Sequence, residues 1–294
     1  MTAVVAAGIV ALGIVIALGV GAIVTADRRS GHIRTAPIRA RLGQATDSSV
    51  QALGRPLTAG IVWFAGVTFT IGCFWGLGVL ARKYGDYIDR PMLRWWERGR
   101  NVAGWKHFWA VATHIGDQNP MQVVAVVAGV LLAALWWRRR WWVPLLAVPG
   151  SYLFWRATSE VLRLVVHRPH PPTDGGTWPS GGCARIVVIS GVIVYLFLRW
   201  RTASGPKLRT ACWSVVPFLA VTEAYARLYN LQHWFLDVIG GLLYGSVMLA
   251  VMIAACAVLD RQLPAAVPVG KPGSRSAAIP AAPTAVDRQS TPAS

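Results

Sequence analysis

His233 stands four residues ahead of Asp237 in a stretch of polar side chains between two apolar runs. A carboxylate at that spacing, at the start of a helix, shares a face with the imidazole. It can hold one ring nitrogen and leave the other as a nucleophile or base. Arg227 lies just upstream, and its planar guanidinium can clamp an oxyanion. A second cluster, Trp178-Pro179-Ser180-Gly181-Gly182, runs directly into an apolar segment. A turn of that kind before a helix can aim backbone N–H groups at a phosphate. A third cluster, Arg163 to Pro171, contains His167, Arg168, Pro169 and His170. Together these parts suit phosphoryl transfer through an activated histidine. Singly they have plainer readings: a His–Asp pair can be a structural hydrogen bond. One well-placed carboxylate and one histidine make metal binding the weaker alternative, and no metal is expected.

The elements that must carry these residues are membrane helices. The chain has 294 residues, of which 54% are hydrophobic and 14% charged, with mean hydropathy +0.46. Soluble domains are about 25% charged, so the composition speaks against a cytosolic globular enzyme. A spanning helix needs about 20 mostly apolar residues. Uncharged runs at 2–26, 56–81, 118–137 and 238–259 meet that length. Three further spans, 141–166, 183–198 and 210–228, carry charges within or close by: Arg156, Glu160 and Arg163; Arg185; Glu223 and Arg227. Charges at membrane depth cost about 2.5–3.5 kcal/mol on insertion scales, so they tend to mark function. Arg156 and Glu160, four apart, read as an ion pair.

The net charge of +17 reflects topology and anionic lipid rather than nucleic acid, because the basic residues lie between apolar runs. Segment 27–55 holds six arginines, 138–140 three, 199–209 four basic residues and the tail four. These segments alternate onto one face, which the positive-inside rule puts in the cytoplasm. Segment 82–117, rich in Trp and interleaved with acids, reads as helices lying in the interface on the outer side. The four cysteines lack metal-ligand or redox spacing and read as small buried residues.

In these residues the chain resembles the type 2 phosphatidic acid phosphatases, lipid phosphatases related to vanadium haloperoxidases. The family's pattern is Lys, six residues, Arg-Pro; then Pro-Ser-Gly-His; then Ser-Arg, five residues, His, three residues, Asp. The resemblance covers roughly residues 57–260. It implies an all-α, polytopic membrane bundle, with a six-helix phosphatase core at 57–260. The extra N-terminal transmembrane helix at 1–26, the basic cytoplasmic loop at 27–56 and a disordered cytoplasmic tail at 261–294 lie outside it. It implies His233 as the nucleophile that forms a phosphohistidine and Asp237 as its orienting partner. Arg227, with the backbone of Ser180 and Gly181, would bind the phosphoryl oxygens. Arg163 stands where the family has its Lys.

The departures are as specific. His170-Pro171 stands where the family has Arg-Pro, and Arg168-Pro169 keeps that dipeptide two residues out of register. Ala226 replaces the Ser of the third motif. Gly182 replaces the histidine that serves the family as general acid, a loss of about 10²–10⁴ in rate. Either His170 or His167 supplies the acid instead, or the substrate needs none, or the pocket binds lipid phosphates without cleaving them. A chain without an acid should favour diphosphates: an alkoxide leaves as the base of an acid about as weak as water, a phosphate monoester as that of one with a second pKa near 6. The expected protein is a metal- and cofactor-independent phosphatase, multi-pass in the cell membrane. It would act on a lipid phosphate or prenyl diphosphate among membrane lipids, with no nucleic-acid partner.

Overall fold

The computed structural model describes residues 36–100, 105–173, 176–201 and 204–260. The expected N-terminal span at 1–26 and the tail at 261–294 lie outside the described residues. Within them the chain is helical and forms no strand. Helix α1 (Ala36–Leu53) occupies most of the segment read as a basic loop. Gly54, at φ 80°, turns it straight into α2 (Arg55–Tyr84), whose first turn holds Pro56. That left-handed backbone conformation favours glycine, and proline is pre-shaped for a helix start. Two short amphipathic helices follow, α3 (Asp86–Gly99) and α4 (Trp105–Ala112), then a 3₁₀ turn at Thr113–Gly116. The remaining helices are α5 (Gln118–Leu135), α6 (Trp142–Val166), α7 (Gly181–Trp200), α8 (Pro206–Tyr229) and α9 (Phe235–Asp260).

Helices α2, α5, α7 and α9 are long and apolar enough to cross a membrane. Helices α6 and α8 are long enough but carry the charges already noted. Helix α7 is central and buried along most of its length, with α5, α6, α8 and α9 packed around it and α2 against α9. Side chains such as Ile61, Phe64 and Phe69 on α2, and Val123, Val127 and Leu131 on α5, remain exposed. On a protein in water so much exposed apolar surface would drive association; here it is the surface turned to lipid. The chain is a polytopic membrane helical bundle.

Two contacts fix the functional end. Helices α7 and α9 touch backbone to backbone: a Cβ on Gly245 would lie 2.8 Å from the Ala184 carbonyl oxygen. The amphipathic helices dock on the end of α8 through rings, Trp96 on Tyr225 (5.2 Å between centroids) and Trp109 on Tyr225 (4.4 Å). Edge and tilted contacts of this kind add about 0.5–1.5 kcal/mol each to simple burial.

Candidate active site

Helix α6 ends where His167 adopts a left-handed conformation, φ 48° and ψ 48°, and Pro169 bars its continuation. The turn swings Arg168 inward. Its guanidinium donates to Asp237 Oδ1 and to Asp89 Oδ2, and all three side chains are buried. Asp89 Oδ1 also accepts the Leu236 N–H at 2.9 Å. The out-of-register Arg-Pro dipeptide thus ties α3 and the end of α6 to the start of α9. Gly85 leaves the room: a Cβ there would lie 2.5 Å from Arg168 Nη2. Asp89 belongs to the site although its sequence offers only one signal, an acid on the apolar face of an amphipathic helix, in line with Leu93 and Trp96.

His233 lies ahead of α9, which begins at Phe235, so it does not share a helical face with Asp237 as the spacing suggested. Leu231, at φ 55°, turns the chain just before it. His233 Nδ1 is 3.9 Å from Asp237 Oδ2, too far for a hydrogen bond, and neither atom has another partner. The ring is 5% exposed. Burial pushes its pKa below the ordinary histidine range against the pull of the Asp237 carboxylate, and the fields of Arg227 and Arg163 add to the lowering. Gly176 lies over the ring: a Cβ there would come within 2.6 Å of Nε2.

Ser180 precedes the first turn of α7 and is buried. Its N–H, expected to face phosphate, donates instead to the Asp237 carbonyl at 2.9 Å. That bond, with Gly241 pressed against the Ser180 backbone, holds the Pro179–Gly182 turn onto α9. Gly181 stands between two arginines, with Arg163 Nη2 and Arg185 Nη1 each 3.5 Å from where its Cβ would be. Among the described residues Arg163 reaches Glu160, at 3.3 Å, and its Nε is buried without a partner. Glu160 therefore pairs across one turn with Arg163 rather than with Arg156. Arg185 is fixed by two bonds to the Gly116 carbonyl, 2.9 and 2.6 Å, and lies 4.2 Å over the Trp155 ring. Its position four residues beyond Gly181 was the sequence signal for it: both lie on one face of α7.

Arg227 is committed on several sides. It donates to Glu223 at 2.6 Å, Asp117 at 2.6 Å, Gln232 at 3.0 Å and the Thr113 carbonyl at 3.0 Å. Asp117 is also bonded to His114 at 2.7 Å. Burial alone would raise the Asp117 pKa, but the bonds from His114 and Arg227 outweigh it and hold the carboxyl below its ordinary value. Gly182 abuts the same pair, a Cβ lying 2.5 Å from Glu223 Oε1 and 2.8 Å from Arg227 Nε. Arg163, Ser180, Gly181, Arg227, His233 and Asp237 thus gather at one end of the bundle. His170 and His167 are exposed on the turn after α6.

The fold and this gathering define a class: a polytopic membrane protein with a buried histidine beside an arginine-flanked helix start. The PAP2 superfamily model matches residues 156–259, the segment holding all three motifs. The resemblance to type 2 phosphatidic acid phosphatases is borne out there. A transmembrane PAP2-type phosphatidylglycerolphosphate phosphatase from Bacillus subtilis shares the fold, with a TM-score of 0.57 at 18% identity, over 66% of this chain and 97% of its own. No curated protein matches the chain.

Proposed function

We propose that this protein is a cell-membrane lipid phosphatase that removes a phosphate from a lipid phosphate or prenyl diphosphate at the external face, through a phosphohistidine on His233. The family match and the structural neighbour support phosphatase activity on a membrane lipid. The observation that carries the mechanism is the convergence of distant motifs: the Ser180 N–H on the Asp237 carbonyl, and Arg163 beside Gly181. An anion at the start of α7 would meet the unpaired N–H groups of a helix terminus, with Arg163 and Arg185 on its flanks. Arg163, whose Nε has no partner, is the better clamp; Arg227 chiefly frames the site. A buried, neutral imidazole is the form that attacks phosphorus. Asp237, near Nδ1, stabilises the positive charge that forms on the ring.

A second reading, binding without hydrolysis, draws on the engagement of Arg227 with two carboxylates. Phosphate release by the detergent-purified chain, without added metal, separates the two. The panel is phosphatidate, phosphatidylglycerol phosphate and a polyprenyl diphosphate. Release that His233→Ala abolishes is the expected result; binding with no release favours the second reading. The external placement follows from the basic segments, with 199–209 inside. Labelling of a Ser204→Cys variant by an impermeant reagent from outside the cell would contradict it.

A further inference from the structure

Glu223 sits near the end of α8 with its side chain 1% exposed. Oε1 accepts from Arg227, while Oε2 is buried with no hydrogen-bond partner. Two glycines from different elements close on this carboxyl. A Cβ on Gly116 would lie 2.2 Å from Oε1, and one on Gly182 2.5 Å from the same atom. Glu223 therefore fills the space into which a side chain at 182 would project, and 182 is where the resembled family has its histidine acid.

Neutralising Arg227 does not by itself require this residue, since Asp117 already bonds the guanidinium. Arg227, Arg185, Asp117 and Cys183 face Glu223, and its burial with no donor to Oε2 favours a proton on the carboxyl. Asp117 is 36% exposed and doubly hydrogen-bonded, and stays ionised. The unpartnered Oε2 of Glu223 is the oxygen left for that proton. Arg227 also bonds Gln232, the neighbour of His233, so the carboxyl and the imidazole flank one guanidinium.

We propose that Glu223 is the proton donor to the leaving oxygen, in place of a histidine at 182. This rests on the phosphatase reading of His233. His233 Nε2 attacks phosphorus, and the P–O bond to the lipid breaks. The departing oxygen keeps the bonding pair and takes the Glu223 proton, giving the lipid alcohol, a phosphohistidine and a carboxylate paired with Arg227. Water then attacks the phosphohistidine and passes a proton to Glu223; phosphate leaves and both residues are restored. An acid at 223 opens alkyl monoesters to cleavage and removes the preference for diphosphates expected from Gly182 alone. It also means that Gly182→His by itself restores nothing, because its Cβ meets a carboxyl wedged against Gly116.

The test compares an alkyl phosphate monoester, phosphatidate, with a polyprenyl diphosphate, using the detergent-purified full chain. Glu223→Gln keeps an acceptor for Arg227 and removes the proton. Its kcat/KM on phosphatidate should fall by about 10²–10⁴, and on the diphosphate by less than about tenfold. The alkaline limb of the phosphatidate profile should vanish, because the active form is the protonated one. As a second arm, Gly182→His with Glu223→Ala should cleave phosphatidate faster than Glu223→Ala alone. Equal losses on both substrates, no loss, or no gain in the double variant would overturn the proton-donor role while His233→Ala still abolished turnover. Full turnover in His233→Ala, or none in the wild type, would instead sink the phosphatase reading beneath it, and the proposal with it.

Discussion

Arg168 is shared by Asp89 and Asp237, and Arg227 by Glu223 and Asp117, so one pattern of an arginine between two acids occurs twice at the same end of the bundle. The surroundings differ. Around Arg168 every partner is buried, and the bonds join α3, the end of α6 and the start of α9. Around Arg227 the network reaches the surface through Asp117 and His114, leaves an oxygen of Glu223 unpartnered, and is shaped by glycines at 116 and 182. The first cluster is sealed and architectural, although Asp237 Oδ2, 3.9 Å from His233 Nδ1, also lacks a hydrogen-bond partner; the second is open to the surface. Charges at membrane-helix ends thus announce a buried network without telling which charge does chemistry.

The largest expected difference is in stability. Arg168→Ala leaves Asp89 and Asp237 buried without a counter-ion and should destabilise the fold by about 3–5 kcal/mol. Asp117→Asn, in the open cluster, should cost about 1 kcal/mol or less. Thermal unfolding in detergent measures both, and equal losses would erase the distinction. Next comes Arg163→Ala, which removes a partly unpaired cation from beside Gly181. A charged hydrogen bond of about 1.5–3 kcal/mol corresponds to a fall of about 10- to 100-fold in kcat/KM, with little change in unfolding temperature. A loss of stability without a change in kcat/KM would put Arg163 with the architectural residues.

The smallest effect is on pH dependence. His233 must be neutral to attack, and burial lowers its pKa. The acid limb of kcat/KM should therefore lie below the ordinary histidine value of about 6.5. The same shift makes stability fall as pH drops through that value, because the unfolded chain takes up a proton that the folded one refuses. An acid limb at or above 6.5 would contradict the buried setting of the ring.

The spans α2, α5 and α9 were legible because each holds a long run without charge, and α7 because Arg185 and Arg199 stand at the two ends of an otherwise apolar run. The site was legible as motifs but not as bonds. Spacing alone put His233 and Asp237 on one helix face; the left-handed turn at Leu231 and a helix start at Phe235 move the histidine off it. Register alone set Arg168 aside; the left-handed His167 delivers it to Asp237. Asp89 had only its place on an amphipathic face to mark it and Asp117 had nothing, since their partners Arg168 and Arg227 come from distant elements. Glu223 was visible as an intramembrane charge, but its contact with Gly182 exists only once α7 and α8 pack.

The central claim is that His233 carries the phosphoryl group. Rapid-quench labelling with a substrate bearing radiolabelled phosphate, followed by peptide mapping, tests it most directly. The expected result is an acid-labile, alkali-stable label on the peptide containing His233, absent from His233→Ala along with turnover. Turnover that persists in His233→Ala, or label on a different residue, would contradict the account.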